Sequence, residues 1–142
     1  MELALRFLIF KRIDPNEVKS TTDLSEYVTD KMRELATDSN FDFVQEELEF
    51  VKTFEILDFI LGENVFKKFD PIKSTFSGRF LISGFEAIAY GLGRNITKYS
   101  DLSLNEGLKE NLIGKIKSIW SNTNFQARSG SGMPVTIELL CR

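Results

Sequence analysis

"FVQEELEFVKTFEILDFIL", residues 43–61, decides the fold class. Phe43, Phe50, Phe54, Leu57 and Leu61 recur at spacings of seven, four, three and four, which is the period of one helix face and not the two-residue alternation of a strand. Val44, Leu48 and Val51 widen that stripe. Asn40 is the expected N-terminal cap and Gly62 the expected stop. Between the apolar positions lie Glu46, Glu47, Glu49, Glu55 and Asp58, and a charge run of this kind marks a solvated face. Glu55 and Asp58 have the i, i+3 spacing to share a metal ion. A bundle metal site ordinarily adds Glu-x-x-His motifs, however, and the chain has no histidine.

Toward the N-terminus, residues 2–12 place Leu3, Leu5, Phe7, Leu8, Ile9 and Phe10 on nearly every side of a helix. A helix apolar all round needs neighbours on every side, from its own chain or from another. Glu2 stands where a signal peptide would be basic, and the stretch is shorter than the roughly 20 apolar residues that span a bilayer. Asp14-Pro15-Asn16 ends the element. A second helix is expected over 23–37, with Asp23 and Glu26 in a capping arrangement and Leu24, Val28, Met32 and Leu35 on one face.

Toward the C-terminus, "ENVFKKF" (63–69) has the composition of one more helical turn, broken by Asp70-Pro71 and followed by a loop through "KSTFSG". A helix is expected from Arg79. In it Gly84, Ala87 and Gly91 share a small-residue face, and Leu81, Phe85, Ile88 and Leu92 form a larger one. Glu86 lies inside this apolar helix and calls for a cationic partner, Arg79 or Arg94. In "SLNE" (103–106) Ser103 and Glu106 form a capping box, after which Leu104, Leu108, Leu112, Ile116, Ile119 and Trp120 continue the stripe. Ser121-Asn122-Thr123-Asn124 closes that helix, and Pro134 opens a last one over 134–141, where "VTIELL" is the one competitor for a strand. The expectation is an all-α, compact bundle of five or six helices forming one domain over residues 1–142, with Phe85 and Trp120 in its core.

The charges exclude several function classes. Eighteen Lys and Arg against 21 Asp and Glu give a net charge of -3, without the basic excess of a phosphate-neutralising domain. The absence of histidine removes the usual acid–base catalyst, and Cys141 as the lone cysteine leaves no disulfide within the chain and no Cys/His zinc set. Neither a catalytic, a cofactor-binding nor a metal site is expected. "FQARSGSGMPV" (125–135) lacks the spacing and the Lys-Ser/Thr pair of a phosphate-binding loop and is expected to be a connection. The basic residues do concentrate in the second half, which makes Lys115, Lys117 and Arg128 candidate contacts to a DNA backbone.

Four segments in order, "ELALRFLIF" (2–10), "GENVFKKF" (62–69), "GRFLISGFEAIAYGLG" (78–93) and "IWSNTNFQARSGSG" (119–132), resemble the helical C-terminal half of the GmrSD-type restriction endonucleases, whose members carry a ParB/sulfiredoxin-like N-terminal domain. The resemblance spans nearly the whole chain. The family's Asp-Gly-Gln-Gln-Arg run and the HNH-type histidine set of some members are absent, so no catalytic residue carries over. The single unpaired thiol fits a cytoplasmic origin. The resemblance implies a non-catalytic fragment or accessory module of a nucleotide-dependent endonuclease, docked on a ParB-like catalytic domain, and the basic second half adds the expectation of weak DNA contact. The alternative expectation is a stand-alone interaction domain that pairs its first helix with a second copy of itself.

Overall fold

A computed structural model describes residues 2–13, 23–99 and 101–129, and over these the chain forms six helices and one small hairpin. In order they are α1 (Glu2–Phe10), α2 (Leu24–Thr37), α3 (Phe43–Leu61), β1 (Lys68–Asp70), β2 (Thr75–Ser77), α4, α5 (Glu106–Ser121) and α6 (Thr123–Arg128). Helix α4 has three parts, α-helical Ile82–Phe85, a π turn over Glu86–Tyr90, and α-helical Gly91–Arg94. Single 3₁₀ turns follow α3 at Gly62–Asn64 and α4 at Ile96–Lys98. The all-α class and a count of five or six helices are those the periodicity indicates, although α6 is not among the helices expected.

Side-chain caps set the helix starts. The Asp23 carboxylate accepts from the Ser25 and Glu26 amides at the head of α2, as expected. Helix α3 is capped by Asp42, which accepts from the Gln45 amide, while Asn40 lies in the preceding turn with its amide bonded to Asp38. Helix α5 is capped by Asn105, which accepts from the Leu108 amide, and not by Ser103. Both corrections move the cap two residues on, to side chains that are as good at this position as the ones expected.

Three other expectations change. Of "ENVFKKF", Glu63 and Asn64 belong to the 3₁₀ turn after α3, whereas Lys68 and Phe69 begin strand β1, which pairs antiparallel with β2 so that Phe69 faces Phe76. Asp70 Oδ1 accepts from the Ile72 and Lys73 amides, and Ser74 takes a positive φ of 54°. Asp70-Pro71 therefore reverses the chain instead of merely stopping a helix. Helix α4 begins at Ile82, so Arg79 lies outside it. Asn122 ends α5 and caps α6 through the Asn124 and Phe125 amides, so "FQAR" is helical. The expected helix 134–141, with "VTIELL" and Cys141, lies outside the described residues.

The core gathers Phe7, Ile9 and Phe10 of α1, Ile56, Leu57 and Ile60 of α3, Phe85, Ile88 and Tyr90 of α4, and Leu112, Ile116 and Trp120 of α5. Phe7 is fully buried, its ring 5.4 Å from Phe50 and 5.5 Å from Phe54. Two glycines of α4 make this closeness possible. A Cβ at Gly93 would stand 2.5 Å from Phe7 Cζ, and one at Gly84 would stand 3.0 Å from Trp120 Cζ2 and 3.1 Å from the Phe66 carbonyl oxygen. Gly91, expected to share the close-approach face of Gly84, borders open space, because the π turn between them changes the phase of the helix. The neighbours that α1 requires are thus supplied largely by its own chain.

Candidate functional site

In the first half of α3, Glu46 and Glu49 turn inward and part of the apolar surface lies outside. Glu46 is 7% exposed and Lys11, from the turn after α1, 5%. Lys11 Nζ lies 2.8 Å from Glu46 Oε2 and also pairs with Glu49, and Arg12 pairs with Glu46 Oε1. The cations have aromatic seats as well, Lys11 5.8 Å from the Phe7 ring centroid and Arg12 4.8 Å from that of Phe41. Burial pushes the Glu49 carboxyl up, but hydrogen bonds from Gln45 and Lys11 and the charges of Lys11 and Arg12 outweigh it and hold the group below its ordinary range. A buried charge is tolerable only when paired in this way.

On the opposite side of the same turns, Phe43 is 70% exposed, Val44 69% and Leu48 60%, with Val51 also exposed. Val44, Leu48 and Val51 stand at i, i+4 and i+7 and so form one strip, with Phe43 and Glu47 beside it. Phe43 is braced edge-on by Phe41, ring centroids 4.6 Å apart. Contrary to the expectation, Phe43 does not join the buried stripe and Val44, Leu48 and Val51 do not widen it, since the inward positions beside them belong to the ion pairs. Glu55 and Asp58, farther along, are exposed, as a solvated face requires.

Glu86 sits in the π turn of α4, its side chain 14% exposed, and its cationic neighbour is neither Arg79 nor Arg94 but Arg6 of α1, Nη1 to Oε1 3.8 Å. Arg94 instead donates to the Ile13 carbonyl at 2.8 Å. Burial pushes the Glu86 carboxyl up to about 7, and Arg6 offsets this in part. Burial and the nearby Glu86 charge also raise the Tyr90 phenol, whose hydroxyl has no hydrogen-bond partner among the described residues.

Two of the candidate basic contacts, Lys115 and Lys117, lie on different sides of α5. Lys115 and Lys117 flank buried Ile116, and two residues along a helix turn through about 200°. Lys115 Nζ donates to the Tyr99 hydroxyl at 3.0 Å, whereas Lys117 Nζ lies 4.9 Å from the Phe69 ring centroid beside β1. Arg128 is the last residue of α6, and its side chain and residues 130–135 of the glycine loop are outside the described residues.

Among the described residues, no three or more acidic or cysteine side chains are grouped to hold a metal ion, and no helix is long and apolar enough to cross a membrane. No family model, curated protein or solved structure matches this chain.

Proposed function

We propose that the chain is a cytoplasmic, non-catalytic helical module that docks on a second protein through the outer face of the first half of α3. The proposed partner is the ParB-like nuclease or nucleotide-hydrolysing domain of a GmrSD-type restriction or phage-defence system, following the sequence resemblance. Exposed Phe43, Val44, Leu48 and Val51 on adjoining positions of one helix carry the docking reading. Burying one such side chain is worth about 1.5–3 kcal/mol, and contiguous apolar patches mark association sites. The lack of histidine and of the family's catalytic run supports a non-catalytic role. Lys115, Lys117 and Arg128 add weak, sequence-insensitive DNA contact, with a salt slope of about -0.9 per phosphate on duplex DNA.

A second copy of the chain is the alternative partner. Because Phe7, Ile9 and Phe10 of α1 are buried in the chain's own core, that copy would use the same α3 face, a self-complementary patch suited to two-fold pairing.

Light scattering on the purified chain, alone and mixed with a ParB-like protein encoded in an adjoining reading frame, tests the two. A monomer that forms a 1:1 complex, lost in the Val44→Lys/Leu48→Lys double variant with unchanged helicity, is the expected result. A doubled mass for the isolated chain that the double variant halves selects the copy. A monomer that forms no complex overturns the proposal.

A further inference from the structure

An open groove of about 310 Å³ lies between the second half of α3, the π turn of α4, and α5. Its walls are apolar: Leu57 and Ile60, Ile88 and Leu92, Leu112 and Ile116. The π turn and its flanks present small residues to it, and a Cβ at Gly91 would meet nothing within 4 Å. Position 91 thus borders unfilled space, at a helix irregularity of the kind often found at ligand sites.

The mouth has the opposite chemistry. Lys98 Nζ donates to Asn95 Oδ1 at 2.8 Å, and Lys115 Nζ donates to the Tyr99 hydroxyl at 3.0 Å. All four side chains border the groove, no acidic residue lines it, and neither ammonium has a carboxylate partner among the described residues. Two positive charges held by neutral groups above an apolar trough select a ligand with an anionic head and an aliphatic body.

We infer that this groove binds a medium-chain aliphatic carboxylate, its tail along the walls of α3, α4 and α5 and its head between Lys98 and Lys115. At about 310 Å³ the groove lies at the small end of ligand pockets, which suits a short single-chain ligand such as octanoate. The site is separate from the outer face of α3 and does not depend on the docking proposed above.

Titration of the full chain with octanoate, followed by amide chemical shifts, tests it. Saturable shifts are expected at residues 87–92 and 112–116, with binding at least tenfold weaker in Lys98→Gln/Lys115→Gln and lost in Gly91→Leu, which fills the space. Octanol, lacking the charge, should bind wild type and the lysine double variant alike. Absence of saturable shifts in the folded wild type overturns the site, as does undiminished binding to Gly91→Leu. Octanoate affinity unchanged in the lysine double variant overturns the anion assignment. The wild-type shift map decides the site even if a variant fails to fold.

Discussion

In the first half of α3, Glu46 and Glu49 turn inward against Lys11 and Arg12, while Val44, Leu48 and Val51 face solvent. In the second half Thr53, Ile56, Leu57 and Ile60 turn inward, and Glu55 and Asp58 face solvent. Helical periodicity is continuous across both, so the reversal reflects what packs against each half. The second half meets α4 and α5, which offer apolar side chains. The first half meets the end of α1, where Lys11 and Arg12 follow directly on the buried run and require carboxylates. The second half is a self-sufficient amphipathic helix. The first is complete on its inner side and open on its outer one.

The largest test of this contrast is Lys11→Ala. Removing the cation shared by Glu46 and Glu49 leaves them with Arg12 alone at a largely buried site and should cost about 3–5 kcal/mol in denaturant unfolding. Ile56→Ala, in the apolar half, should cost about 2–5 kcal/mol by leaving a cavity. A loss below about 1 kcal/mol for Lys11→Ala would make the ion pairs an ordinary hydrated surface and erase the difference between the halves.

Carboxylates in different settings should also respond oppositely to pH. Glu86, pushed up to about 7 from 4.5, binds its proton more tightly folded than unfolded. Its share of stability is therefore present below its ordinary pKa and is lost as pH rises through about 7, by up to about 3 kcal/mol. Glu49 is held low, so its share is present above its ordinary pKa and lost as pH falls. Urea midpoints measured across this range should therefore lose their decline with pH in Glu86→Gln and lose part of their acid sensitivity in Glu49→Gln. Profiles parallel to wild type in both would contradict the assignments.

Smallest of all should be Leu48→Lys, within about 0.5 kcal/mol of wild type, since the position is solvated in the isolated chain. A cost above about 2 kcal/mol would mean that this face is already packed, and the open side of the first half would disappear with it.

What was legible in the sequence is what depends on near neighbours. Helices α1, α2 and α3 and the body of α5 follow from periodicity and breakers, and Phe85 and Trp120 are core residues as their stripes imply. The caps of α3 and α5 lie two residues beyond the first candidates because Asn40 and Asp42, or Ser103 and Asn105, are equally able to accept an amide, and local sequence does not choose between them. Three-residue strands are too short to display alternation, so Phe69 and Phe76 gave no sign of facing each other. The ion-pair cluster joins residues up to 38 apart, and Arg6 reaches Glu86 from a different helix. Such partners are selected by packing, which also decides which of α3's two apolar strips is buried.

The π turn makes α4 one residue longer than its span requires, in effect a built-in insertion. Deleting a single residue between Glu86 and Tyr90 would restore regular winding and leave everything beyond it in place, whereas regular winding with that residue retained would rotate the Gly91–Arg94 end by about 100° relative to the Ile82–Phe85 end. In the second case Gly93 would leave its place under the Phe7 ring and a bulkier neighbour would swing in. A relative shorter by that one residue can therefore keep both the glycine and the phenylalanine, with its alignment gap falling inside the π turn.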